Sequence, residues 1–283
     1  MNKDKILILG AKGMLGRELA EVFSSQNPIL WDKEEIDISS NKEVQEKIGK
    51  LKPRIIINAA AYTNVDEAEK NKDLSFKING EAVGFLAEIS KKIDAILIHY
   101  STDYVFDGNK KDGYKENDEP KNPLNIYGQS KLLGEQLLKK NTKKYYLIRT
   151  SWLFGKYGKN FVETILNLSQ KQKELEVVDD QYGKPTYAPD LAKKTKEILE
   201  KQKPFGIYHV TNEKMTNWYE FARKILEVSN INKKVKPCKS EKFSRPAKRP
   251  SYSILLNNKL GHLRNWEEAL KDYIYERNNF SRR

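Results

Sequence analysis

Cysteine is almost absent. Cys238 is the single thiol in 283 residues, so no disulfide can close within the chain and no thiolate cluster can hold a metal. Histidine is nearly as scarce: His99, His209 and His262 lie far apart and form no HExxH-like pattern, which removes the common zinc-hydrolase arrangement. His99, set in an apolar run, reads as a satisfied core residue. No stretch reaches about 18 consecutive apolar residues, so no membrane helix is expected. The apolar run in MNKDKILILG is too short for a signal peptide. These absences lead to the expectation of a cytoplasmic, soluble protein with no metal.

What is present is positive charge. Lys and Arg number 52 against 39 Asp and Glu, a net +13. Residues 233–249, KKVKPCKSEKFSRPAKR, hold eight Lys/Arg against one Glu, over half of that excess. Such a segment is either a solvated basic loop or one wall of a pocket for a phosphorylated small molecule. No nucleic-acid module accompanies it, so no nucleic-acid partner is expected. The hydrophobic fraction is low at 38%, yet apolar runs recur throughout, which a disordered chain would not show.

The order of those runs is informative. KILILG (5–10) closes on Gly10, and helical spacing follows from Met14 to Phe23. PILWD (28–32), RIIINAAAY (54–62), AILIHYST (95–102) and KYYLIRT (144–150) read as further strands. Helices are predicted between them at 41–51, about 71–91 and 126–140, with a punctuated loop over 107–125. Strands apolar on both faces and separated by helices predict an α/β fold, a Rossmann-like doubly wound parallel sheet. After Thr150 the rhythm loosens: helix 159–169, strand 174–178, turns over 179–189, helix 190–201, strand 205–210, then helices 216–228 and 265–278. Residues 1–150 thus read as a dinucleotide-binding core. Residues 151–283 read mainly as a smaller substrate-binding lobe, with elements around 190–210 returning to the core.

GAKGMLG (10–16) sits between the first strand and the first helix, with GxxGxxG spacing. Gly10 can make the tight turn, Gly13 lets the backbone approach a pyrophosphate, and Gly16 allows close helix–strand contact. The helix N-terminus then offers free N–H groups to the phosphates. Asp32 ends the second strand, 22 positions after Gly10, where a carboxylate accepts a ribose hydroxyl of NAD. Lys33, its neighbour, would instead pair with the 2′-phosphate of NADP, so the cofactor remains NADPH or NADH. Asp37 either contacts adenine or serves as a turn residue. Ala59, Ala60 and Ala61 either leave room for the cofactor or are ordinary tight packing.

Tyr127 alone among 15 tyrosines has a Lys at +4, in YGQSK (127–131). That spacing puts Tyr127 and Lys131 on one helix face, and Thr102 ends the preceding strand at the same sheet edge. Reducing a ketone requires a proton for its oxygen, which a phenol can supply. Lys131 would lower the Tyr127 pKa and hold the ribose, while Thr102 would polarise the carbonyl. Asn79 either supports the sheet edge near Lys131 or is a partly exposed structural residue.

On these residues the sequence resembles the extended short-chain dehydrogenase/reductases, and among them the dTDP-4-dehydrorhamnose reductases. Beyond GAKGMLG and YGQSK, the resemblance rests on INAAAYTNVDEAE (57–69), YSTDYVFDG (100–108), RTSWLFG (149–155), KNFVETIL (159–166), VVDDQYGKPTYAPDLA (177–192) and RPSYSILLNNKL (249–260). It implies reduction of a dTDP-linked 4-keto-6-deoxy sugar by NADPH or NADH, with Thr102, Tyr127 and Lys131 as the catalytic set. It extends the cofactor site over Met14, Leu15, Ile38 and Tyr62. Tyr104 and Trp152 would line the sugar pocket, Trp152 alternatively plugging the core between lobes, with Asn160, Phe161 and Arg249 as further substrate contacts. Some members dimerise around Mg²⁺. A homodimer is therefore an expectation, but no ligand set here carries the metal over. A related sugar-nucleotide ketoreductase or epimerase stays open, as does a non-catalytic role resembling the methionine adenosyltransferase beta subunit.

Overall fold

The structure, a computed structural model, describes residues 5–280. Five strands alternate with helices over the first 150 residues: β1 (Ile6–Leu9), β2 (Ile29–Trp31), β3 (Ile55–Asn58), β4 (Ile96–Thr102) and β5 (Tyr145–Thr150). They pair in the order β2-β1-β3-β4-β5, and the later strand Gly206–His209 adds beside β5. Every pairing in this six-stranded sheet is parallel. All carboxyl ends therefore share one edge, and the strand order reverses between β1 and β3, which opens a crevice there.

Both faces of the sheet are covered, which is why its strands are apolar without alternation. Ile6 and Ile8 face one layer with Leu15 and Leu19 of helix α1 (Met14–Val22), its C-cap Phe23, and Leu191 and Ile198 of helix Ala188–Glu200. Leu7 and Leu9 face the other, with Val44, Ile48, Leu86, Ile89 and Leu138. The helices at 41–51 and 72–92 each contain a π-type turn, over Val44–Ile48 and Lys77–Glu81. A third apolar cluster in the second half of the chain joins helices Phe161–Lys171, Trp218–Val228 and Trp266–Phe280.

Two features depart from the pattern expected from the sequence. Residues 234–238 form a strand, Lys234–Cys238, parallel to Glu174–Val178, where a basic loop was the natural reading of a Lys-rich stretch containing Pro237. Much of the basic charge is also neutralised locally. Lys236 pairs with Glu174, Lys242 with Glu176, Lys239 with Asp179, and both Arg245 and Arg249 with Asp66. Among the described residues no helix is long and apolar enough to cross a membrane.

One ion pair lies inside the fold. Arg149, on β5, grips Glu135 of helix Ile126–Asn141 through two bonds, Nε to Oε1 at 2.9 Å and Nη2 to Oε2 at 2.7 Å. Both side chains are fully buried, and Ser101 Oγ donates to Glu135 Oε1 at 2.7 Å. Removing one partner leaves an uncompensated charge, which costs about 3–5 kcal/mol. Arg149→Met is therefore expected to lower the urea midpoint by a stability change of that size, with an unchanged slope. A loss below about 1 kcal/mol would show that the pair does not brace the helix.

Candidate active site

The glycine turn is sterically determined. Gly10 has φ +72°, and a Cβ there would stand 2.6 Å from the Ala60 nitrogen. A Cβ on Gly16 would fall 2.0 Å from the Gly10 carbonyl oxygen, so helix α1 can approach β1 only with glycine there. Gly13 is the N-cap of α1, and its N–H donates to the Gly10 oxygen at 3.1 Å. The first-turn N–H groups of Met14, Leu15 and Gly16 have no helical acceptor by construction and are free to receive an anion. The Leu15 side chain itself packs into the core.

Beside this turn lies a cleft of about 730 Å³ at the β1/β3 reversal, a size suited to a cofactor. Gly10, Gly13, Asp32, Lys33, Asp37, Ile38, Ala59, Ala60, Ala61 and Tyr62 line it. Asp32 accepts the Lys12 N–H on one oxygen and the Lys33 N–H on the other, both at 2.9 Å. Its carboxylate is thereby held at the rim. Asp37 accepts the N–H and hydroxyl of Ser39, which hold its carboxyl below the usual range, so it both lines the cleft and closes a turn. Asn79 is buried, not partly exposed: it brackets Tyr62 with bonds to its N–H and carbonyl, each 2.9 Å, and donates to Ser130 Oγ at 3.1 Å. It shapes the Ala59–Tyr62 loop from behind and bonds to Ser130, one position before Lys131.

At the same edge Thr102 ends β4, and Tyr127 and Lys131 come from the following helix, whose N-cap Asn125 accepts the Gly128 N–H at 2.8 Å. Burial pushes the Tyr127 phenol up to about 12, opposed by the neighbouring Thr102 hydroxyl. Lowering by Lys131 was the expectation from the sequence. In the folded protein burial dominates, and the Lys131 ammonium donates to the Tyr100 carbonyl at 2.6 Å and not to the phenol. Lys131 is buried as well, which brings its own pKa down to about 8 against the pull of Glu135.

Asp103, next to Thr102, escaped the sequence reading. Its carboxyl is buried, with Oδ1 accepting the Thr102 hydroxyl at 2.8 Å and the Ser253 hydroxyl also facing it. Burial raises its pKa to about 7. The available signal was a charged residue continuing directly from an apolar strand at the carboxyl edge of the sheet.

The sugar-side candidates separate into two groups. Tyr104 meets the Tyr127 ring edge-on at 5.9 Å, and Arg249, held by Asp66, lies against Tyr104. These converge on Tyr127. Trp152 has φ +48° and stacks flat on Trp218 at 3.5 Å, while Gly183 lies under it, since a Cβ there would come within 2.6 Å of the indole. Asn160 caps helix Phe161–Lys171 through the Glu163 N–H and donates to the Gly155 carbonyl, so its amide is engaged at both ends. Phe161 packs against Trp218 and Phe221 within the smaller lobe's core.

A six-stranded parallel sheet with a glycine turn at its reversal and a Thr–Tyr–Lys set on its carboxyl edge defines the class: an extended short-chain dehydrogenase/reductase of the Rossmann type. Residues 4–279 match the family model described as the RmlD substrate binding domain, and the chain belongs to that family. It is 40% identical to the spore coat polysaccharide biosynthesis protein SpsK of Bacillus subtilis, over 96% of this chain and 98% of that one. It is 39% identical to a dTDP-4-dehydrorhamnose reductase of Aggregatibacter actinomycetemcomitans, over 95% and 97%. The crystal structure of the Bacillus anthracis dTDP-4-dehydrorhamnose reductase in complex with NADP superposes with a TM-score of 0.93 at 40% identity, over 96% of this chain and 99% of that one.

Two expectations follow from the geometry. Gly10→Ala forces a side chain into the φ +72° turn and against Ala60, so NADPH affinity in a fluorescence titration should fall at least about tenfold; unchanged affinity would remove the turn from the cofactor site. Asp103 has a raised folded pKa, so its penalty on the fold is absent below the ordinary carboxylate range and complete above about 7. Asp103→Asn should therefore be more stable than wild type at pH 8 in urea titrations, with the difference shrinking as pH falls through that window. A difference independent of pH would contradict the assignment.

Proposed function

We propose that the chain reduces the C4 ketone of dTDP-6-deoxy-L-lyxo-4-hexulose to give dTDP-L-rhamnose, consuming one NADPH or NADH per turnover. The observation that carries this reading is the half-buried Tyr127, its phenol neighbouring Thr102 and one helical turn from Lys131, on the sheet edge that also holds a dinucleotide-sized cleft. The family and the reductases that resemble this chain over nearly its full length support it. Bound NAD(P)H supplies the hydride.

The chain's own residues supply everything else. With a pKa pushed to about 12, Tyr127 stays protonated at neutral pH and is in the form that can donate. The oxygen of a reduced ketone is a stronger base than this phenolate, so the proton moves from the Tyr127 hydroxyl to O4 and leaves a phenolate to be reprotonated from solvent. Thr102 has one hydroxyl proton. While it is given to ionised Asp103 it is withheld from Tyr127 and the ketone; protonated Asp103 can donate to Thr102 and release it. Lys131 holds the ribose of the cofactor and supports the phenolate. Asp32 offers a hydroxyl acceptor and Lys33 an ammonium at the same rim, so both NADH and NADPH are served. Arg249 and Tyr104 sit on the sugar side of Tyr127.

The test combines turnover and one variant. Wild-type protein with the keto-sugar nucleotide should deplete the nicotinamide absorbance with either cofactor, and folded protein that gives no turnover would sink the proposal. Tyr127→Phe should bind cofactor normally and lose about 10²–10⁴-fold in kcat, the range for a removed general acid. Near-wild-type turnover would remove Tyr127 as the proton donor.

A further inference from the structure

His99 lies on β4 with its ring fully buried, between the catalytic helix and the cofactor loop. Its Nε2 is 3.4 Å from Lys131 Nζ, and its Nδ1 is 3.1 Å from Asn58 Nδ2. Asn58, the last residue of β3, also accepts the Ala60 N–H on Oδ1 at 3.2 Å. This last bond decides the orientation of the whole chain of groups. A backbone N–H can only donate, so the group of Asn58 facing Ala60 is its oxygen and the group facing His99 is its NH₂. His99 Nδ1 must then accept. Burial and the nearby Lys131 keep the ring neutral, so its one proton sits on Nε2 and is aimed at Lys131.

An N–H directed at an amine favours the neutral form, whose lone pair can accept it, and opposes the ammonium. Other groups act on Lys131 from each side. On its own helix Glu135 favours the ammonium, and Tyr127 lies one turn before it. From β4 the Tyr100 carbonyl accepts from Nζ, and Asp103 lies beyond Thr102. From β5 Arg149 neutralises much of the Glu135 charge. His99 is the group among these that presents a donor to Lys131.

We propose that His99 is a positioning residue for the reduction, its Nε2–H held in direction by Asn58 and Ala60 so that it faces Lys131 Nζ and opposes the ammonium form. The inference rests on the catalytic set assigned above. It makes the charge of Lys131 answer to the Ala60 backbone, which lines the cofactor cleft. The ammonium is the form that holds ribose hydroxyls as a donor and supports a phenolate. Activity should therefore fall as pH rises through the Lys131 titration, and removing the opposing donor should move that fall to higher pH.

The experiment is the pH profile of kcat/KM for His99→Gln and His99→Phe in the full-length protein, with NADPH and the keto-sugar nucleotide. Gln can turn an oxygen toward Lys131, and one hydrogen bond to a cation shifts its titration by about one pH unit or more. The basic limb should move up by about that much in His99→Gln and by less in His99→Phe, both with kcat at neutral pH within a few-fold of wild type. Superimposable profiles in folded variants would overturn the proposal. NMR of ¹⁵N-histidine-labelled wild type gives a reading that needs no His99 variant to fold: His99 should be neutral with its proton on Nε2 throughout the neutral range, and a proton on Nδ1 would equally overturn it. Tyr127→Phe run in parallel separates the two levels. If that variant is inactive while the His99 profiles are unmoved, only the role of His99 fails; if it turns over normally, the catalytic set fails and His99 falls with it.

Discussion

The buried ion pair between Glu135 and Arg149 is the constraint on which the site depends. Glu135, Lys131 and Tyr127 follow one another at four-residue spacing on a single helix face. Arg149, on the neighbouring β5, fastens Glu135 to the sheet through two bonds in the fully buried interior. Fixing Glu135 fixes the rotation of the helix, and the rotation decides that Lys131 and Tyr127 face the carboxyl edge and not the solvent. The desolvation cost of such a pair means its contribution is better understood as holding one arrangement than as adding net stability.

Charge at the site is set by burial first and by neighbours second. Tyr127, Lys131 and Asp103 are each moved toward their neutral forms by loss of water. Tyr127 is thereby kept protonated, Lys131 is brought close to neutrality, and Asp103 becomes able to act as a donor near pH 7. The pairwise picture of a lysine lowering a tyrosine leaves out this shared desolvation. Thr102 gives its single proton to Asp103 and neighbours Tyr127, so it stands between the two.

Much of the architecture was legible in the sequence because a doubly covered parallel sheet writes itself as unbroken apolar runs. KILIL, RIIIN and AILIH needed no alternation to be read as strands, and Gly10 and Gly16 mark a turn that only glycine can make. Tyr127, Lys131 and Thr102 followed from topology, since parallel strands bring their ends to one edge. Other features were hidden for physical reasons. Lys234–Cys238 is a strand whose lysines are paired with acids on Glu174–Val178 and the turn after it, so its partner and not its composition defines it. Asp103 owes its raised pKa to complete burial, which no local pattern records. Asn160 looked like a ligand contact from its sequence block, whereas in three dimensions its amide is engaged in capping a helix.

At this edge a hydride and a proton add across one ketone, with one reduced cofactor consumed for each product formed. Supplying NADPH deuterated at the transferred position, with dTDP-6-deoxy-L-lyxo-4-hexulose, and reading the product by NMR tests this most directly. One deuterium at C4 of an L-rhamno product for each cofactor oxidised is the predicted result. A product formed without deuterium at C4, or without loss of reduced cofactor, would contradict the account.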